Sequence, residues 1–600
     1  MTDRTVRSRT TWMLAVVLAL PLGTRMAAAP GAVSYAPAPG RKGVNPDTHL
    51  VMTFPSPPVL GNAGKIRIYD AADDRLVDTL DLGIPPGPTA GPGALAGRVA
   101  YSPTPYAYTP GRRATNADTV PGTPSGVAAA TPSTSQLTII GGFTDAFHFY
   151  PVIVHGNVAT IYPHHDLLAY GRSYYVQIDP GVLTLADGSF TGVSGKRGWT
   201  FSTRPRAPAA DSTRLVVAAD GTGDFNTVQG ALDFVPDRSP RRVTIFIRNG
   251  DYEEIVYVRN KSNVTLLGED RERVQIHYAN SEIFNPHPSN VATNEWPGTF
   301  PSRRAAFMAD QASGLHFVNL TIRNTARGQA EGLLLTGERN ILSRVSIHGS
   351  GDALQVNGSA YVADSLIAGD GDTILGRGPA FFVNSELQSR GPFTWTRNTA
   401  ANHGNVFLNC RFKGTGEGPT VIARAPANGG RTYPNVEVVL LNSALDGISP
   451  VGWGDVGGDT SQVHFWEYNS TNLRDGAPAD VSARHPVSKR LTMAEDAQTI
   501  ANYSNPGWVL GWSPAMAPII LSQPSPVTAT QGQAAELSVS VAAVPEAAYQ
   551  WSRKGAPIAG ATGRILAFTA VRAADAGAYT VTVTNGSGTA TSRAATLTVK

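Results

Sequence analysis

Two aspartates stand twenty residues apart, each inside a short glycine-containing phrase: Ser350-Gly351-Asp352-Ala353-Leu354 and Asp370-Gly371-Asp372-Thr373-Ile374. The likeness continues downstream, where Gly358 matches Gly378, Ala360 matches Ala380, Tyr361 matches Phe381 and Ser365 matches Ser385. A repeat of this length, built from short apolar runs and Gly-rich turns, predicts a stacked β-solenoid. Equivalent positions on neighbouring coils of such a stack lie about 4.8 Å apart. Two carboxylates would then sit side by side. At about 5 Å and an effective dielectric near 20 they repel by roughly 3 kcal/mol, or about two pKa units. One should hold a proton where the other does not, and the pair should titrate as a unit. One member could attack a carbonyl while the other donates a proton to the leaving group. Both could instead be turn residues, because Asp beside Gly closes turns through its own side chain.

The elements that must position this pair can be followed along the chain. Ile322, Ile347, Ile367, Leu387, Phe412 and Leu445 each close a phrase such as Val383-Asn384-Ser385-Glu386-Leu387, at intervals of 25, 20, 20, 25 and 33 residues. The short intervals fit single coils of a parallel β-helix. The long ones fit coils carrying loops on one face, where binding usually lives. A strand at Leu215-Val216-Val217-Ala218, a turn at Asp220-Gly221-Thr222-Gly223 and a short helix from about Thr227 to Phe234 should open this domain. Strand-like runs follow to about residue 515.

The rest of the chain divides around it. Arg4, Arg7 and Arg9, the apolar run Trp12 to Leu22 and Ala27-Ala28-Ala29 read as a cleavable export signal over 1–29. Residues 30–205 read as an N-terminal Ig-like β-sandwich, with alternation in Lys65-Ile66-Arg67-Ile68-Tyr69 and Tyr174-Tyr175-Val176-Gln177-Ile178 and a Pro/Gly/Thr-rich loop over about 84–135. Its histidines His148, His155, His164 and His165 carry no ligand motif and are expected to be scattered over the surface, with a metal site as the alternative. Residues 206–515 form the middle domain. Residues 519–600 read as a second sandwich, with Trp551, a tyrosine corner at Asp575-Ala576-Gly577-Ala578-Tyr579, and Val539 and Val581 where such a domain would hold cysteines. The fold class is therefore all-β. With 62 glycines, 44 prolines and 16 % charged residues, strands and turns are favoured over helix bundles. The single cysteine, Cys410, excludes an intrachain disulfide and reads as core filler. A net charge of +3 gives no argument for nucleic acid and does not oppose an acidic polymer.

With these phrases in view, residues 215 to 512 resemble the pectin methylesterases, carbohydrate esterases built on a right-handed parallel β-helix. The resemblance begins at Asp220-Gly221-Thr222-Gly223-Asp224-Phe225-Asn226-Thr227-Val228-Gln229 and continues through Ile247-Arg248-Asn249-Gly250-Asp251-Tyr252-Glu253-Glu254. Gly328-Gln329-Ala330 is similar to the family's Gly-Gln-Ala, which implies that Gln329 stabilises an oxyanion. Gly351-Asp352-Ala353-Leu354 is similar to Gln-Asp-Thr-Leu, which implies a general acid and base at Asp352. Asp372-Thr373-Ile374-Leu375-Gly376 resembles Asp-Phe-Ile-Phe-Gly, which implies a nucleophile at Asp372. Ile422-Ala423-Arg424 resembles Leu-Gly-Arg, whose arginine holds the nucleophile.

The activity so implied is hydrolysis of methyl esters on galacturonate units of pectin or a related acidic polysaccharide, with release of methanol. It needs no metal and no cofactor. The protein is expected as a secreted, periplasmic or cell-surface monomer without membrane insertion. The departures are Gly351 in place of a second glutamine, Thr373 and Leu375 in place of phenylalanines, and Pro426 in place of a tryptophan. The sugar platform should then come from Trp395, Trp453 or Trp466, with Arg377 facing a carboxylate of the polymer. Three other readings stay open: a retaining glycosidase, which uses the same carboxyl spacing of about 5 Å; an esterase or thioesterase with a non-pectin substrate; and a non-catalytic polysaccharide-binding protein.

Overall fold

The computed structural model describes residues 32–87, 136–141, 147–285, 302–424, 432–454 and 459–600. The export segment expected over 1–29, Pro426, and most of the loop expected over 84–135 lie outside these residues.

The middle of the chain winds into a parallel β-helix. Among the described residues its three faces are sheets of eleven, nine and six strands, and every pairing within them is parallel. One coil runs Asn340–Ser343 in the eleven-stranded sheet, Ser346–His348 in the nine-stranded sheet and Leu354–Val356 in the six-stranded sheet. The next runs Ala360–Ala363, Leu366–Gly369 and Ile374–Gly376. The expected register is observed: Ile322 pairs with Ile347, Ile347 with Ile367, Ile367 with Leu387, Leu387 with Phe412 and Phe412 with Leu445.

Two features of the repeated phrase explain why the chain turns where it does. The corner between the first two faces needs one residue in the left-handed region, and Asn319, Arg344, Asp364, Asn384, Asn409, Asn442 and Asn469 take it, with φ between 50° and 58°. Asn and Asp tolerate that conformation better than other residues bearing a Cβ. After the corner, a small polar side chain turns inward and satisfies the coil before it. Val345 N donates to Ser365 Oγ at 3.1 Å, Ser365 N to Ser385 Oγ at 3.2 Å and Cys410 N to Ser443 Oγ at 3.3 Å. Cys410 stands in this ladder, and burial pushes its thiol up to about 12, so it is core as expected. Inside, side chains stack coil on coil, as in Phe382 on Phe407 with centroids 4.7 Å apart. Each such burial contributes about 1.5–3 kcal/mol.

The helix Val228–Phe234 closes the first coil, its N-terminus capped by Thr227 Oγ1 on Gly230 N. At the other end the structure departs from the strand-like reading to 515. Met493–Tyr503 and Pro506–Leu510 are helices that cover Phe381, Val406, Val439 and Leu441 of the eleven-stranded sheet. Their caps, Thr492 and Asn505 with Pro506 at the first helical position, are the usual start signals.

The described residues between 34 and 203 form a sandwich of one four-stranded and one five-stranded sheet around Leu50, Met52, Ile66, Val176, Trp199 and Phe201. The alternation expected at Lys65–Asp70 is present. The segment bearing Asn45 and Asp47 docks this sandwich on the β-helix, where Asp47 Oδ2 accepts from Asn226 N, Thr227 N and Thr227 Oγ1 at 2.8–2.9 Å. The C-terminal sandwich buries Val539, Trp551 and Val581, and its Tyr579 hydroxyl donates to Asp575 O at 2.6 Å, the expected corner. No helix among the described residues is long and apolar enough to cross a membrane.

Candidate active site

Asp352 and Asp372 each lie two residues ahead of a strand of the six-stranded face. The strands they lead into are neighbours, with Leu354 opposite Ile374. Asp370 N donates to Gly351 O and Ala353 N to Thr373 O, so the two turns stack as well as the strands. The carboxylates thus come from successive coils, as the repeat predicts, although the backbones that carry them differ. In the first turn the left-handed residue is Gly351, with φ +70°, and in the second it is Asp372 itself, with φ +48°.

That difference accounts for Gly351. A Cβ at this position would meet the carbonyl oxygen of Gly328 at 2.7 Å, closer than real contacts allow. No side chain fits there while the 328 turn keeps its path, so the second glutamine has no room.

The two aspartates have opposite surroundings. Asp372 is held by a two-pronged arginine: Arg424 Nε donates to Oδ1 and Nη2 to Oδ2, both at 2.6 Å. The fork is the strongest geometry an arginine offers a carboxylate. It is braced from behind, because the Arg424 guanidinium lies 4.0 Å from the ring centroid of Trp395. Arg397 approaches the same indole at 4.7 Å.

Asp352 is 6 % exposed. Burial pushes its carboxyl up to about 8; the charge of Glu331 adds to the rise, Arg304 opposes it, and Asp372 adds again. Near neutral pH Asp352 is therefore the protonated member of the pair. Its neighbours are residues that the motif reading missed. Arg304 Nη2 donates to Asp352 Oδ2 at 2.8 Å, its Nε donates to both Glu331 oxygens at 2.8 Å, and its Nη1 donates to Gln329 Oε1 at 3.0 Å. Glu282 stands 3.5 Å from the same guanidinium. The signal for them was present: Glu331 is a lone charge in Ala330-Glu331-Gly332-Leu333-Leu334-Leu335, and it is 0 % exposed. A charge buried in an apolar run needs an ionic partner.

The structure brings Gln329, Asp352, Asp372 and Arg424 to one face. Of the expected sugar-binding residues, Arg377 is exposed beside the strand that follows Asp372, and its charge is felt at Arg397. Trp395 is on the site but serves the arginines. Trp453 is corrected: it is 1 % exposed and stacks on Phe465 in the core, so it has no face to offer a polymer. Trp466 lies in the eleven-stranded sheet, stacked on His464 beneath the C-terminal helices. Trp466 lies on a different face from the aspartates, and Trp453, whose neighbours Gly452 and Gly454 pair with Ile422 and Ala423, turns its side chain into the core.

The histidines of the first sandwich are also corrected. His148 and His164 are buried, and His165 pairs with Asp233 of the β-helix at 2.5 Å, with Asp166 at 3.3 Å; His155 alone of the four is exposed, opposite Glu253. They belong to the seam between the two domains. A cavity of about 90 Å³ opens there, lined by Asp47, His49, Tyr162, His165 and Glu254, and it is remote from the aspartate pair in the lining it uses.

Residues 214–506 match the Pectinesterase family profile, and residues 517–585 match the Immunoglobulin domain profile. Pectinesterase QRT1 of Arabidopsis thaliana is 30 % identical over 319 residues, covering 50 % of this chain and 79 % of that protein. Probable pectinesterase/pectinesterase inhibitor 42 of the same plant is 29 % identical over 272 residues; the match covers 43 % of this chain and 49 % of that protein's length. Pectin methylesterase from carrot is a structural neighbour with a TM-score of 0.41 and 23 % identity, over 51 % of this chain and 95 % of that one. A parallel β-helix bearing a carboxylate pair on one face is thus joined to sequence similarity along most of a curated relative. The chain belongs to the pectinesterase family.

Proposed function

We propose that this protein hydrolyses methyl esters of galacturonate units in pectin through an aspartate nucleophile. The observation that carries the reading is the asymmetry of the pair: Asp372 forked by Arg424, and Asp352 on the adjacent coil held protonated by burial. Membership of the family supports the substrate class.

In the first half-reaction a carboxylate oxygen of Asp372 attacks the ester carbon. The electron pair of the carbonyl moves to oxygen, and the Gln329 amide donates a hydrogen bond to that oxyanion. As the tetrahedral species collapses, the bond to methoxide breaks and Asp352 gives it a proton, releasing methanol and leaving a mixed anhydride on Asp372. Asp352, now ionised, takes a proton from water. The hydroxide attacks the uronyl carbon, the anhydride bond breaks back to Asp372, and Asp352 is neutral again. Arg424 aligns Asp372 throughout. Exposed Arg377 and neighbouring Arg397 give the groove a positive side suited to a polyuronate.

The leader-like composition of 1–29 supports export. We take the functional units to be 30–205, 206–515 and 519–600. A second reading, an esterase or thioesterase acting on another acyl substrate, is favoured by one observation: Trp395 is occupied by two guanidinium groups and leaves little aromatic surface for a sugar. One assay separates the readings. The full chain is given methyl-esterified pectin, and methanol and reducing ends are both measured. Methanol without reducing ends is expected; reducing ends would mean a glycosidase, and neither product would direct attention to other esters or to binding alone.

A further inference from the structure

Arg304 lies one coil before Gln329 and sits among three carboxyl groups, Glu331, Glu282 and Asp352. Three carboxylates around one buried cation carry excess negative charge, and such a cluster is relieved by binding a proton. A guanidinium has donors only. The Gln329 atom that faces Nη1 at 3.0 Å is therefore the carbonyl oxygen, and the NH₂ group is turned away from Arg304 on an exposed side chain. By the same rule Asp352 Oδ2, which accepts from Nη2 at 2.8 Å, is the unprotonated oxygen, so the proton of the neutral acid sits on Oδ1.

We propose that Arg304, counter-charged by Glu331, is a positioning residue of this site: it fixes the donating face of Gln329 and the proton-bearing oxygen of Asp352. The proposal rests on the esterase reading and extends it. It also explains how a site whose position 351 admits no side chain keeps its oxyanion donor in place. Arg304 is not itself the donor to substrate, because its N–H groups are directed at Glu331, Gln329, Asp352 and, at longer range, Glu282. The charged groups that face Asp352 are Arg304, Glu331, Asp372 and Arg397, with Glu282 behind Arg304 and Arg424 behind Asp372.

The two partners should act on Asp352 in opposite senses. Losing Arg304 removes a charge that favours the carboxylate; losing Glu331 removes one that disfavours it. The test uses the full chain and two readouts: kcat and KM for methanol release against pH, and titration of the Asp352 carboxyl by infrared difference spectroscopy against Asp352→Asn. For Arg304→Met the alkaline limb and the Asp352 titration should move up by about one pH unit. Its kcat should fall about 10–100-fold with KM within about threefold. For Glu331→Gln the alkaline limb and the Asp352 titration should both move down by about one unit. Arg304→Lys should hold the limb near its wild-type position without restoring kcat, since one compact ammonium cannot span the four acceptor atoms that the guanidinium reaches from three separate nitrogens. The double variant Arg304→Met/Glu331→Gln keeps the local charge balance and guards against misfolding; it should return the limb while kcat stays low. Shifts in the same direction for both partners, no shift, or an unchanged kcat in Arg304→Met would overturn the proposal. The infrared titration reads Asp352 whether or not methanol is released, so a silent wild type refutes the esterase reading separately.

Discussion

Arg424→Lys is the perturbation whose size the structure lets one work out. The wild-type side chain makes two charge-assisted hydrogen bonds to Asp372, each 2.6 Å long, and rests on Trp395 at 4.0 Å. A lysine keeps the charge, can reproduce one of the two bonds and loses the planar contact with the indole. A hydrogen bond to a charged group contributes about 1.5–3 kcal/mol. A partly exposed cation–π contact adds about 0.5–1 kcal/mol. The Arg424 side chain is 39 % exposed and that of Asp372 18 %, so the lower end applies, giving about 2 kcal/mol in total. If Arg424 aligns the nucleophile in the transition state, that loss appears in kcat as about a 30-fold drop with KM little changed. Initial rates of methanol release over a range of pectin concentrations measure both constants, with circular dichroism confirming the fold. A kcat within threefold of wild type, or a loss confined to KM, would refute the claim that the fork positions Asp372.

Other outcomes follow from the same geometry. Because Asp352 must be protonated to assist methanol departure and its carboxyl is raised to about 8, kcat/KM should fall as pH rises through about 8, and a profile flat to pH 10 would contradict the acid role. Gly351→Gln should not improve the enzyme: with φ +70° and a clash at 2.7 Å with Gly328 O, it should lower stability by about 1–3 kcal/mol in a denaturant titration, and a stabilised, faster variant would show that the turn is free to move. Glu437 is buried, which alone would raise its carboxyl, but hydrogen bonds from His403, His464 and Tyr503 bring it down from 4.5 to about 2. Its contribution of about 3 kcal/mol is present above pH 4.5 and lost as pH falls through about 2. Glu437→Gln should therefore unfold at lower denaturant near pH 6, and its deficit should shrink toward pH 2; an unchanged midpoint at pH 6 would reject this account of the C-terminal helices' anchor.

Much of the fold can be read from one corner of the coil. The Asn residues of phrases such as Val383-Asn384-Ser385 take the left-handed turn, and the apolar residue three positions later points inward, so the spacing of these phrases is the spacing of the coils. The aspartate pair was legible for the same reason, since each member lies two residues ahead of a strand of one face, whereas Arg424 was reached only through the resemblance. Arg304 and Glu331 were not legible as a pair, because they join coils of unequal length; the lone charge of Glu331 in an apolar run signals that a cation is near but not which one. Trp453 misled because a tryptophan near a turn looks available until the stacking of Phe465 beneath it is known. The helices at 493–510 were hidden by continuing a strand period past Thr492 and Pro506, whose capping signals were in plain view. The seam histidines depend on contacts between residues about 70 apart in sequence, such as His165 with Asp233, which no spacing rule reaches.

The central claim is that two carboxyl groups on successive coils divide the work of acyl transfer, one as nucleophile and one as proton donor. Asp372→Asn tests it most directly, since it keeps the size of the side chain while removing the nucleophilic carboxylate. Methanol release from methyl-esterified pectin by the folded full-length variant should fall by about three orders of magnitude or more relative to wild type. Release at the wild-type rate would contradict the account.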